Sequence, residues 1–171
     1  GRRGVAGVKA DADVSARLQR PWAHSSVAMG LAPPPAAQLL RPIVLLLSSP
    51  RSGSSLLQLC LNANPALYAG QELFLLPFAT LGERKRCLDG TGFEEGLLKT
   101  IMDLRRCGYA EASAFLDTGL GDACTVSVAY AALLELASPR LLVDKTPPNA
   151  ERLCFLQRAR ELFSAPRYIH L

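Results

Sequence analysis

Pro42-Ile43-Val44-Leu45-Leu46-Leu47-Ser48-Ser49-Pro50-Arg51-Ser52-Gly53-Ser54-Ser55-Leu56-Leu57 decides how the rest of the chain is read. Five apolar residues, Ile43 to Leu47, form a run of the right length for a buried strand. Pro50 breaks the run, small polar residues follow, and a helical pattern resumes at Ser52 and reaches about Asn62. A strand that feeds such a loop and then a helix N-terminus makes an anion site. The free N–H groups of Gly53, Ser54 and Ser55 can converge on one set of oxygens, with the positive end of the helix dipole behind them. Arg51 adds a fixed charge that can hold two oxygens at once.

Working outward, the pattern alternates short apolar strands with helices. Leu67-Tyr68-Ala69 reads as a second strand after Pro65 stops the first helix, and Leu141-Leu142-Val143 as a third. Arg167-Tyr168-Ile169-His170-Leu171 reads as a fourth. Helices are expected over Leu81 to Leu88, Phe93 to Arg106 and Val126 to Leu136, and from an Asn149 cap to about Phe163. Asp117 to Asp122 reads as a glycine-punctuated turn. The first helix carries Leu56, Leu57, Leu59, Cys60 and Leu61, so it is expected to lie buried on the sheet. The class is α/β: a parallel sheet with helices on both faces. Ligands of such folds collect beyond the C-terminal strand ends, where Arg51, Glu72 and Lys145 all fall.

The bulk properties narrow the function. A chain of 171 residues is one domain of ordinary length with enough apolar content for a core. Its net charge of +4 is spread among both signs, which favours no nucleic-acid stripe and suits small anionic ligands. Five widely spaced cysteines, with only His24 and His170 as histidines, give no zinc pattern and fit reduced thiols in an intracellular compartment. No apolar run is long enough to span a membrane. Residues 1–40, rich in Ala, Gly, Arg and Pro, are expected to be a linker or disordered arm, with Trp22 as a docking contact. An organellar transit peptide is the rival reading of that arm; Asp11 and Asp13 argue against it, and a cytoplasmic location is expected, a plastid being the alternative.

The nucleotide-triphosphatase loop requires G-x-x-x-x-G-K-S/T, and Pro50 to Ser55 has neither the first Gly nor the Lys. Phosphoryl transfer with magnesium is therefore poorly supported, and Asp144, the one strand-terminal Asp, is followed at once by Lys145. A nucleophile elbow also fails, because G-x-S-x-G is missing.

Pro50-Arg51-Ser52-Gly53-Ser54-Ser55-Leu56-Leu57, Asn62-Ala63-Asn64-Pro65-Ala66-Leu67 and Glu72-Leu73-Phe74-Leu75-Leu76-Pro77-Phe78 together resemble the opening of a sulfotransferase domain. The likeness is strongest to sulfotransferase domains of polyketide synthases. Leu142-Val143-Asp144-Lys145-Thr146-Pro147 and Arg167-Tyr168-Ile169-His170-Leu171 resemble later segments of the family in the right order. The resemblance covers residues 41–171, taken as the N-terminal part of such a domain, and implies a three-layer, P-loop-like sulfotransferase fold, here incomplete. It implies 3′-phosphoadenosine 5′-phosphosulfate as donor, no metal, and an acceptor hydroxyl, on a small molecule or on an acyl chain tethered to a carrier protein. Partners would be other polyketide synthase domains, with no nucleic acid and no membrane.

Carried over residue by residue, the resemblance makes Arg51 a clamp on the phosphosulfate and Ser52, Gly53, Ser54 and Ser55 its loop donors. Lys145 matches a basic residue that contacts the same group, and Glu72 becomes the general base. Gln71 stands where relatives often have Pro, and Asn64 where they commonly have His. Phe74, Phe78 and Tyr68 are candidate acceptor-pocket residues, with core packing the competing role, while Glu94 and Glu95 read as solvated. The segments that hold the donor's 3′-phosphate in the family are not matched, so the chain by itself is expected to bind donor weakly and turn over poorly. Rival functions are a nucleotide kinase relative and an inactive scaffold.

Overall fold

The computed structural model describes residues 20–33 and 38–171. Four strands, β1 (Val44–Leu47), β2 (Leu67–Ala69), β3 (Leu141–Asp144) and β4 (Arg167–His170), form one sheet in the order β2-β3-β1-β4. Every pairing is parallel, with Val44 opposite both Val143 and Arg167. All strand C-termini therefore open on one edge, and β1 sits in the interior of the sheet with its following loop between two neighbours.

Alternation along the strands divides the core. Ile43, Leu45, Leu47, Tyr68 and Leu142 face the larger cluster, which also holds Phe155, Leu133 and Tyr130. Val44, Leu46, Ala69 and Val143 face the smaller one. The smaller face is covered by α1 (Ser54–Asn62), whose Leu57 and Leu61 pack on it. The other face receives residues of α2 (Leu81–Leu88), α3 (Glu95–Arg105), α4 (Tyr109–Ala114), α5 (Val126–Ala137) and α6 (Leu153–Leu162). The α/β class with a helix-flanked parallel sheet is as the strand–helix alternation predicts.

Three local expectations change. Helix α1 is not uniformly buried: its inward stripe is Ser54, Leu57, Gln58 and Leu61, while Leu56 and Leu59 are 68% and 65% exposed. The helical period selects one face, and Gln58 fits the inward one because its amide donates to the Ala69 carbonyl at 3.1 Å. The segment expected as a turn over Asp117 to Asp122 continues α4 as a π-helical stretch over Phe115–Leu120, ended by Gly121 at φ 76°. Asn149 does not cap α6. It lies in a 3-10 turn, Pro147–Ala150, and α6 starts at Leu153 with Arg152 before it.

The stretch expected as a linker lies partly outside the described residues, at 1–19 and 34–37. Residues 20–33 form a strap packed on the domain, with Trp22 and Val27 in the larger core. Glu83 fastens it: its carboxylate accepts from the Ser26 amide at 2.6 Å and the Ser26 hydroxyl at 2.8 Å, and also from the Ala79 amide at 2.7 Å. The same residue sits in the first turn of α2, where the Thr80 hydroxyl accepts from its amide. Among the described residues no helix is long and apolar enough to cross a membrane.

Candidate active site

Gly53 adopts φ 86° just before α1, and Arg51 is left-handed at φ 65°. A left-handed arginine costs roughly 1 kcal/mol or more, so the loop holds its shape against a local preference. The reversal lets the chain leave β1 and enter α1 within a few residues. Ser52 donates to the Ser49 carbonyl at 3.3 Å, and the amides of Leu56 and Leu57 turn back to the Gly53 carbonyl. Among the described residues the amides of Gly53, Ser54 and Ser55 have no protein acceptor, as expected at a helix start. Arg51, Gly53, Ser54 and Ser55 line a cleft of about 590 Å³ at the strand C-termini. Ser52 stands outside its lining.

Lys145 follows β3 and is 4% exposed. Its Nζ donates to Glu72 Oε1 at 2.7 Å and to Ser55 Oγ at 3.4 Å. The ammonium thus links the turn after β2 to the first turn of α1. Arg51, Ser54, Ser55 and Glu72, which are distant in sequence from Lys145, all line this cleft, and Lys145, outside the lining, is bonded to two of them.

Glu72 sits in the irregular stretch between β2 and α2, and its place is determined from below. Asp144, fully buried at the end of β3, accepts from the Tyr130 hydroxyl at 2.7 Å, the Thr146 hydroxyl at 2.6 Å and the Asn149 amide at 3.3 Å. Thr146 Oγ1 in turn accepts from the amides of Leu73 and Phe74, at 3.0 and 3.3 Å. Arg84 Nε donates to the Leu73 carbonyl at 2.9 Å, and its Nη2 reaches the Glu94 carbonyl at 3.2 Å. Burial brings the Arg84 guanidinium down to about 10, and it stays charged at neutral pH. The Leu73 and Phe74 amides and the Leu73 carbonyl are thus satisfied by two side chains, Thr146 after β3 and Arg84 of α2. Gly96 of α3 lies against the Glu72 carbonyl, and a Cβ there would overlap that oxygen. Only glycine fits.

Burial pushes the Asp144 carboxyl up, against the pull of hydrogen bonds from Thr146, Tyr130 and Asn149. The Tyr130 hydroxyl is raised for the same first reason, with the Asp144 charge adding to it. Asp144 points into the fold toward Tyr130, and Lys145 points to the other side, toward Glu72 and Ser55, as alternation along a strand requires.

All three aromatic candidates are core residues, at most 1% exposed, and Phe74 alone among them also borders the cleft. Phe74 is at φ 48° and packs on Trp22 and Phe93, with ring centroids 5.4 and 4.9 Å away. Glu95 is solvated and pairs with Lys99; Glu94 differs, with Oε2 buried and unpartnered among the described residues. Asn64 Oδ1 accepts from the Ala66 amide at 2.9 Å, a turn contact away from the cleft. Sequence patterns do not reveal Trp22, Arg84 or Gly96 as parts of the site, because their roles depend on contacts between distant segments.

Residues 42–171 match the sulfotransferase family. The solved sulfotransferase domain from the Synechococcus PCC 7002 olefin synthase superposes with a TM-score of 0.77 at 36% identity. That alignment covers 82% of this chain and 51% of the solved one. The sulfotransferase domain from the curacin biosynthetic pathway gives a TM-score of 0.71 at 37% identity, covering 78% and 47%. No curated protein matches the chain. The chain belongs to the sulfotransferase family. It spans about half the length of the two solved domains.

Proposed function

We propose that this chain provides the phosphosulfate-binding and proton-accepting part of a site that moves a sulfuryl group from 3′-phosphoadenosine 5′-phosphosulfate to a hydroxyl. The observation that carries the reading is that Arg51, the α1 N-terminus and Glu72 line one cleft, with Lys145 bonded to both Glu72 and Ser55 of that lining. The residues suit the donor's anionic end. Three unsatisfied amides and a guanidinium offer donors to its oxygens, and Lys145 adds a second cation.

In this reading an acceptor oxygen attacks sulfur while the sulfur–oxygen bond to the 5′-phosphate breaks. The hydroxyl proton passes to Glu72, and 3′-phosphoadenosine 5′-phosphate leaves with the electron pair. Arg51 and the loop amides bind charge on the nonbridging oxygens; Lys145 orients the Glu72 carboxylate and meets the charge that grows on the leaving oxygen. The cations and amides supply the electrostatic work, so the scheme needs no metal. Likeness to domains from an olefin synthase and from the curacin pathway supports an acceptor built on an acyl chain, with polyketide-synthase domains as partners.

Titration of the chain with 3′-phosphoadenosine 5′-phosphate tests the donor assignment. Arg51→Ala is expected to weaken binding about 10- to 100-fold, the worth of a hydrogen-bonded charge. Equal affinity in the variant would remove Arg51 from the donor site.

A further inference from the structure

Part of the cleft lining is aromatic, and one of these residues comes from outside the range that matches the family. Trp22 belongs to the strap at 20–33, ahead of the matched range 42–171. Its ring stands 5.4 Å from Phe74 and 5.8 Å from Phe93, the latter edge-on, so the three rings form one aromatic wall. The wall is held in place. Trp22 Nε1 donates to Glu151 Oε2 at 2.9 Å, and Arg20 lies 3.4 Å from the same carboxylate oxygen. Phe74 is kept in a costly left-handed conformation by the Thr146 and Arg84 contacts to its own amide and to Leu73.

Arg51 lines the cleft, and Lys145, outside its lining, is bonded to Ser55 and Glu72 of that lining. Glu151, which also lines the cleft, is engaged by Trp22 and Arg20, and Arg51 is the one cation of the lining among the described residues. Pro147 and Pro148 add apolar surface without donors. Glu72, two residues before Phe74, lines the same cleft.

We infer that Trp22 is a specificity-determining residue, and that the wall it completes binds the uncharged aliphatic chain of the acceptor while its hydroxyl faces Glu72. This rests on the sulfuryl-transfer reading for the role of the hydroxyl, but the apolar subsite can be tested separately. Trp22 is the single tryptophan of the chain, so its emission reports directly on the wall.

The full chain is titrated with the N-acetylcysteamine thioesters of 3-hydroxyoctanoate and 3-hydroxybutyrate, and separately with 3′-phosphoadenosine 5′-phosphate. The octanoyl probe should change Trp22 emission saturably and bind at least about ten-fold tighter than the butyryl probe, from the added buried methylenes. By calorimetry, Trp22→Ala should bind the octanoyl probe about ten-fold more weakly, and Trp22→Phe within about three-fold of the parent. Both variants should keep the nucleotide affinity within about two-fold, since the α1 N-terminus is untouched. Equal binding of the two thioesters, no response to either, or unchanged octanoyl affinity in Trp22→Ala at retained nucleotide binding would each overturn the inference. A chain that binds the octanoyl probe at Trp22 but takes up no nucleotide would overturn the sulfuryl-transfer reading and leave the apolar subsite in place.

Discussion

Glu72→Gln is expected to lower sulfuryl transfer by about 10²–10⁴-fold in a polypeptide spanning the full length of the solved domains, with little change in donor binding. Glutamine keeps the size of the side chain and can still accept from Lys145, but it cannot take the hydroxyl proton. The loss should appear in kcat, because the carboxylate is used as the new bond forms. Single-turnover rates with saturating donor check this. A variant as fast as the parent would assign the proton to another group. Gly96 bears on the same point: its contact with the Glu72 carbonyl leaves no room for a side chain that would displace the base.

Asp144→Ala is expected to destabilise the fold by about 2–4 kcal/mol, a large share of a normal domain's stability. The substitution strands the Tyr130 hydroxyl and the Asn149 amide in the core, and it frees Thr146 from the geometry in which it holds Leu73 and Phe74. Urea denaturation measures the change. The pH dependence identifies its origin. Burial holds the folded Asp144 carboxyl above its ordinary 3.8, so the folded chain binds more protons than the unfolded one in the window above that value. The contribution is fully present below the unfolded value and is lost as pH rises through the folded one. Relative to Asp144→Asn, which does not titrate, the parent should therefore lose stability as pH climbs from about 4. An identical pH profile for the two would mean that Asp144 does not titrate differently in the fold.

Much of this architecture is legible in the sequence because it depends on local patterns. The apolar run before Pro50, the small residues after it and the short strands at Leu67 and Leu141 specify a parallel sheet and bring Arg51, Glu72 and Lys145 to one edge. The distances among them are not legible: nothing in the spacing says that Lys145 reaches both Glu72 and Ser55. Asn149 shows how a local rule fails. Its capping propensity predicts a helix start, but the buried Asp144 carboxylate needs donors and recruits it, which moves the helix start to Leu153. The apolar stretch of α1 misleads for a related reason. Period alone does not say which stripe faces inward until the Ala69 carbonyl claims Gln58. Trp22 lies in a stretch whose composition reads as linker, and only its contacts with Glu151, Phe74 and Phe93 bring it to the cleft.

The central claim is that the loop after β1 holds the phosphosulfate end of the donor. Amide chemical-shift mapping of an isotope-labelled chain titrated with 3′-phosphoadenosine 5′-phosphate tests it most directly. The account predicts saturable shifts centred on Gly53, Ser54 and Ser55, whose amides have no partner among the described residues, and their loss in Arg51→Ala. Shifts centred elsewhere, with those three amides unmoved at saturation, would contradict it.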